Sequence, residues 1–303
     1  MDAAMNQEEE FEHYRVLLFS IAYRMTGSAS DAEDLVQETY LRYRARTSQQ
    51  IVSLKAYLTT IITHLALDYL KSARVVREEY VGVWLPEPIL TAEDNGLPLA
   101  NVERQEALSL AFLRLLETLS PPERAVFLLH EVFDYPFNEI GGMLSKSPAA
   151  CRQTFHRARQ ALQDKHARFK PEPQRQRQLL LGFLSASQAG NMEELTSLLA
   201  QDAISWSDGG GKVRAHLKPI YGQLAVARFW QSVVHNNQRP LTHTLAEING
   251  SPALLIWDEG KLAVVVSLTL SGAGIQEIYA LLNPDKLAYL QHQLSSPGRH
   301  AQP

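Results

Sequence analysis

The chain reads as a multidomain protein: two all-α domains, the second closing on a helix-turn-helix, followed by an α+β domain. Three observations predict this. Residues 10–74 and 102–170 carry helical apolar spacing, whereas short apolar runs dominate beyond residue 176. Proline-bearing stretches at 75–101 and 170–176 interrupt the pattern. A total of 303 residues exceeds one ordinary domain.

The first helical region breaks near Thr26–Ser30 and again near Ala45–Ser53. In GSASDAEDLVQETYLRYR (27–44), Ser30 is the expected N-cap, with Asp31, Glu33 and Asp34 in the first turn. Asp31, Asp34 and Glu38 share one face beside Leu35. That face fits a solvated, well-capped helix, and equally a docking surface for a basic partner. The next helix, SLKAYLTTIITHLALDYLKSAR (53–74), buries Leu54, Leu58, Ile61, Leu65 and Leu70. It leaves Lys55, Tyr57, Thr60, His64, Lys71 and Arg74 elsewhere, a mixture of rings and cations that suits unpaired DNA.

Residues 75–101 read as a linker, with Pro86, Pro88 and Pro98. The segment 120–162 then reads as three short helices. Ser147 caps the last and Pro148 takes its first position, where no amide is required. Cys151, Phe155, Ala158 and Leu162 form one apolar stripe. Arg152, Gln153, His156, Arg157 and Arg159 are left outward, and such a face suits the DNA major groove. Beyond 176, a helix pair (179–200) precedes strand candidates at 203–208, 212–216, 241–248, 253–258, 262–270 and 275–282, with a helix near 222–236.

Composition narrows the function classes. Apolar residues make up 45% and charged residues 20%, as in ordinary globular protein. No stretch approaches the roughly 18–20 apolar residues of a membrane span, and the acidic N-terminus does not read as a secretory signal. The single cysteine, Cys151, excludes an internal disulfide and sits on an apolar face, so a core role is expected over redox sensing. A cytoplasmic protein is expected. The net charge of −4 is unevenly spread. Residues 1–40 hold nine carboxylates against Arg15 and Arg24, and 141–177 hold nine Lys and Arg against Asp164 and Glu172. One end suits a basic protein surface, the other nucleic acid.

MTGSASDAEDLVQETYLR followed by KAYLTTIITHLALDYLKSAR resembles region 2 of the bacterial extracytoplasmic-function (ECF) RNA polymerase sigma factors. LSPPERAVFLLHEVFDYPFNEIGGMLSKSPAACRQTFHRARQAL resembles their region 4. VGVWLPEP (81–88), DGGGK (208–212) and NPDKL (283–287) resemble signatures of the subgroup with a SnoaL-like domain fused after region 4. The resemblance implies region 2 over 1–75, a linker over 76–101, region 4 over 102–172 and a SnoaL-like regulatory domain over 173–303. It implies that Asp31, Asp34, Leu35, Gln37 and Glu38 dock on the β′ clamp helices of core RNA polymerase. Lys55, Tyr57, His64, Lys71 and Arg74 would open and hold the promoter −10 element, with the loop at 45–53. Arg152, Gln153, His156, Arg157 and Arg159 would meet the −35 element. Trp84, Pro86 and Glu87 would meet the loop of Asp208, Gly209, Gly210, Gly211 and Lys212 in a regulatory contact, with Trp84 as its rigid anchor. Two departures stand out: Val75 and Val76 where basic residues are expected, and Gly141 and Gly142 inside the first helix of the helix-turn-helix.

The C-terminal domain offers Trp206, Asp208, His216, Trp230, His235 and Tyr279 as pocket groups. No spacing among them compels catalysis, no metal-ligand pattern is present, and neither enzyme activity nor a cofactor is expected. A small ligand of this pocket is left open. Two alternatives also stay open at this point: a ligand-responsive helix-turn-helix regulator that binds duplex DNA without polymerase, and a SnoaL-like enzyme with helical appendages.

Overall fold

The computed structural model describes residues 2–45, 51–91, 108–163, 173–236 and 239–295. These form two compact units. One combines 2–78 with 112–163; the other combines 79–91 and 109–111 with 173–295.

In the first unit, α1 (Asp2–Thr26), α2 (Ala29–Arg44) and α3 (Leu54–Glu78) pack as a bundle. Phe11, Leu18 and Ile21 of α1, Val36 and Tyr43 of α2, and Leu58, Ile62, Leu65 and Leu70 of α3 are buried between them. Ile62, not the half-buried Ile61, lies in the core stripe, because Thr59, Ala66 and Ala73 widen the buried face around it. The cap of α2 also differs from expectation. Gly27 turns the chain at φ 71°, and extended Ser28 accepts from the Asp31 amide at 3.2 Å. Ser30 therefore lies inside the first turn rather than ahead of it.

The rest of this unit is α4 (Leu110–Leu116) from Phe112 onward, α5 (Pro121–Phe127) with a π-helical turn over Leu128–Val132, α6 (Phe137–Leu144) and α7 (Pro148–Gln163). Glu123 closes a capping box on Ser120 at the start of α5. Ser147 Oγ accepts from the Ala150 amide at 3.2 Å, the N-cap expected for α7. Left-handed Ser145, φ 53°, makes the turn between α6 and α7. A ring cluster of Phe127, His130, Phe137 and Phe155 packs beneath α7. The two halves of the unit are joined by directed contacts. Buried Arg124 donates through Nη1 to the Met25 carbonyl (2.6 Å) and to Glu117 (2.8 Å). The Thr59 and Tyr135 hydroxyls are 2.9 Å apart, and the Lys55 ammonium lies 5.1 Å from the centre of the Tyr135 ring.

The second unit is built on one six-stranded sheet. Its strands are β1 (Leu199–Asp208), β2 (Ile220–Tyr221), β3 (Thr242–Ile248), β4 (Ser251–Asp258), β5 (Lys261–Ser271) and β6 (Gly274–Leu281). The order is β2-β1-β6-β5-β4-β3, with β1 and β6 parallel and the other pairs antiparallel. Helices α8 (Pro173–Ala189), α9 (Met192–Leu198) and α10 (Gln223–His235) cover one face. Helix α11 (Pro284–Ser295) and linker residues Leu85 and Leu90 cover the other. This mixed sheet with segregated helices is the α+β architecture expected of the C-terminal domain. The expected strand at 212–216 is absent. Its backbone is diverted into a turn by Lys212 and Val213 amides on the Gly209 carbonyl and by the His216 amide on Ser207 Oγ (2.9 Å). The linker differs as well: 79–91 lie on the sheet, with Thr91 bonded to the Glu247 carbonyl and Ile89 paired with Asn249.

The two glycines of α6 separate cleanly. A Cβ on Gly141 would stand 2.6 Å from the Lys146 carbonyl oxygen, so only glycine lets the turn into α7 come this close. A Cβ on Gly142 would meet nothing within 4 Å. In chemical denaturation, Gly142→Ala is expected to stabilise the first unit by up to about 1 kcal/mol through helix propensity. Gly141→Ala is expected to destabilise it.

Candidate functional site

Amphipathicity sets the outer face of α7. Cys151, Phe155, Ala158 and Leu162 are all buried, which turns Arg152, Gln153, His156, Arg157 and Arg159 to solvent as one basic face. Arg157 also approaches Glu123 at 3.5 Å. Burial raises the Cys151 thiol above its ordinary value, so it remains a protonated core side chain.

On α2, Asp34 and Gln37 are exposed while Leu35 and Glu38 are half-buried. Glu38 pairs with Arg42 at 2.9 Å. Asp31 is turned partly inward and accepts the Tyr69 hydroxyl at 2.6 Å, which ties α2 to α3. Leu41, 50% exposed, continues this face by a further turn and was not picked out by residue pattern. On α3, Lys55, His64 and Lys71 are exposed and Tyr57 is half-buried. Lys71 pairs with Asp68, and this pairing lowers the Asp68 carboxyl below its ordinary value. The side chain of Arg74 and much of the 45–53 loop lie outside the described residues.

In the second unit, WLPEP, DGGGK and NPDKL meet. Asp208, fully buried, ends β1 and accepts from the Leu85 amide (2.8 Å), the Tyr80 hydroxyl (2.5 Å), the Gly210 amide (3.0 Å) and Lys286 Nζ (2.7 Å). Lys286 also donates to the Leu85 carbonyl at 2.6 Å, and its ammonium lies over the Tyr80 and Trp84 rings. Asn283 donates to the Tyr80 hydroxyl. Burial and the Asp208 carboxylate push the Tyr80 phenol well above its ordinary value, so it is held as a donor. The glycines fit the crowding. Gly210 and Gly211 take φ of 57° and 71°, and a Cβ on Gly210 would strike Asn283. Gly211 lies against Val81, Lys212 pairs with Asp285, and Pro86 and Glu87 are buried. The half-buried Trp84 ring lies over Lys286, so the expected link between WLPEP and the 208–212 loop runs through Asp208 and the Leu85 amide. Residue pattern singled out neither Tyr80 nor Lys286 as its own contributor, because their role arises only where distant segments converge.

The expected pocket group divides across the sheet. Trp206, Tyr279 and Asp208 alternate onto the face that carries α11 and the linker. Trp230 and His216 belong with α10 on the other face, and His235 ends α10 in solvent. Strand alternation makes a single cavity of all six impossible. Among the described residues no cluster of three or more His, Cys, Asp or Glu could hold a metal, and no helix is long and apolar enough to cross a membrane.

Two family models match the chain: Sigma-70 region 2 over residues 11–75, and Sigma-70 region 4 over 109–162. Region 2 followed by region 4 defines a promoter-directing subunit of RNA polymerase. The chain belongs to the ECF RNA polymerase sigma factors. It is 35% identical to the ECF RNA polymerase sigma factor SigJ of Mycobacterium tuberculosis, over 96% of this chain and 98% of that protein. A probable ECF sigma factor of the same organism, SigI, is 28% identical over 93% and 94%. The crystal structure of M. tuberculosis SigJ superposes with a TM-score of 0.74 at 32% identity, covering 92% of this chain and 98% of that one.

Removing one member of a buried ion pair strands the other. Asp208→Asn or Lys286→Met is expected to cost about 3–5 kcal/mol of unfolding free energy in the full chain. The double variant should cost less than the sum of the two, as urea titration of tryptophan fluorescence would show.

Proposed function

We propose how this sigma factor divides its work. The outer face of α2, with Asp31, Asp34, Leu35, Gln37 and Glu38, docks on the β′ clamp helices of core polymerase. Lys55, Tyr57, His64, Lys71 and Arg74 on α3 hold the opened −10 element. Arg152, Gln153, His156, Arg157 and Arg159 on α7 meet the −35 duplex. The observation that carries this reading is the contrast within α7, where five polar or basic side chains face solvent opposite a wholly buried apolar stripe. The acidic α2 fits a protein partner, since the clamp-docking surface of a polymerase partner must be basic to complement it. A regulator that reads duplex DNA alone has no use for that face.

The C-terminal domain serves as a regulatory body without catalysis of its own, and the protein acts in the cytoplasm, where its polymerase is. Control runs through the chain itself. The linker that follows α3 is tied down at Tyr80, Leu85 and Leu90 by Asp208, Lys286 and Gln293, so any change in this junction alters the tether leaving the −10 helix. Trp84, Pro86, Glu87 and residues 208–212 are its regulatory elements.

Run-off transcription with core polymerase on a cognate promoter tests the reading. Transcript is expected only when the chain is added. Arg152→Ala and Arg157→Ala should each reduce it about fivefold to a hundredfold, with core binding unchanged. Asp34→Ala with Leu35→Ala should weaken core binding itself. Trp84→Ala should change transcript yield while leaving −35 duplex binding intact. Stable sequence-specific duplex binding without polymerase, and no chain-dependent transcript, would overturn the proposal.

A further inference from the structure

Of the outward side chains of α7, Arg157 is the one with a carboxylate beside it among the described residues. Its Nε lies 3.5 Å from Glu123 Oε1, and that carboxylate comes from α5 rather than from α7 itself. The place of Glu123 is set twice over. Its Oε2 accepts from the Ser120 hydroxyl at 2.7 Å and from the Ser120 amide at 3.2 Å. One oxygen therefore closes the capping box, and the other is left for the guanidinium. One turn further along α5, buried Phe127 stacks on buried Phe155 of α7, with ring centroids 5.9 Å and planes 15° apart. Glu123 and Arg157 are thus carried by two helices whose separation the core fixes.

Exposure gives the pair a direction. The Glu123 side chain is 24% exposed and the Arg157 side chain 61%, so the guanidinium stands between the carboxylate and solvent. Nε is the nitrogen nearest the carboxylate, which leaves the Nη pair to a further anion. That pair matches the geometry of phosphate oxygens. Arg157 lies in the third turn of α7, behind Arg152 and Gln153. In a helix-turn-helix the N-terminal residues of the second helix reach base edges, so a cation set further along meets the sugar–phosphate backbone. As an exposed ion pair, Arg157 and Glu123 add little to folding. What the pair supplies is order: a long arginine side chain already held in place loses less freedom when DNA arrives.

We propose that Glu123 is a positioning residue for promoter binding, holding Arg157 so that its Nη groups meet a backbone phosphate of the −35 element. This rests on the −35 reading of α7 given above. Glu123 acts through Arg157 alone. With no guanidinium over it, the carboxylate repels a phosphate, so its sign reverses once Arg157 is removed.

Fluorescence anisotropy of a labelled cognate promoter duplex, titrated with holoenzyme assembled from core polymerase and the full chain, tests this. Glu123→Gln removes the charge while glutamine still closes the capping box, so its unfolding midpoint should match that of the unaltered chain. The variant is expected to bind the promoter about threefold to fivefold more weakly. The same factor is expected on a duplex with a substituted −35 base pair, together with a shallower dependence on salt, because a phosphate contact carries no sequence information. In an Arg157→Ala background, Glu123→Gln should cause no further loss. Ser120→Ala, which frees the carboxylate without removing it, should give a smaller loss, again only where Arg157 is present. Affinity unchanged or raised by Glu123→Gln, a loss that persists in the Arg157→Ala background, or a loss confined to the cognate −35 sequence would overturn the inference. Arg157→Ala by itself separates the two readings. If it weakens binding while Glu123→Gln does not, only the positioning role falls; if it changes nothing, the −35 role of Arg157 falls with it.

Discussion

The carboxylate of Asp208 is fully buried, and the C-terminal unit is organised around keeping it satisfied. A buried charge is tolerated only when an opposite charge and several donors surround it. Here the countercharge comes from Lys286, and the donors come from Tyr80, Leu85 and Gly210. Tyr80 and Leu85 lie 128 and 123 residues from Asp208 in sequence and Lys286 lies 78 away, so the carboxylate is stable only when linker, β1 and α11 are all in place. The glycines after Asp208 and the side chain of Asn283 are fitted into what space is left. Linker and C-terminal domain consequently form one structural body.

The sigma portion rests on a different balance. Its helices bury continuous apolar stripes, and the polar faces so exposed are the surfaces proposed to work: acidic on α2, mixed on α3 and basic on α7. The contacts that join its two halves are few but directed. Arg124 crosses from α5 to the Met25 carbonyl, and Tyr135 reaches Thr59 on α3. Both use groups that must be desolvated to meet, which makes the arrangement specific as well as compact. Lys55 lies beside the Tyr135 ring in this state, so region 4 occupies part of the face proposed for the −10 strand.

Much was legible along the chain. The stripe of Cys151, Phe155, Ala158 and Leu162 located α7 and its outward face, and Ser147 with Pro148 located its start, because helix periodicity and capping are local properties. The motifs WLPEP and DGGGK marked a mutual contact before any geometry was known, whereas NPDKL, legible only as a family signature, joins them through Asn283 and Lys286. Local pattern was weaker where neighbours decide. Ser28 displaced Ser30 as the cap because Gly27 ends α1 earlier than composition suggests. Residues 212–216 have strand-like alternation, yet turn bonds to Gly209 and Ser207 hold them out of the sheet.

The amino-acid sequence by itself determined the class of protein, the order of its parts and the polarity of each helix, since these follow from spacing and residue type within a few turns. Tertiary structure alone decided which face of the sheet each pocket candidate occupies, that the linker belongs with the C-terminal sheet, and that Tyr80 and Lys286 share a carboxylate. Those outcomes depend on desolvation, and burial is a property of the assembled chain rather than of any segment in it.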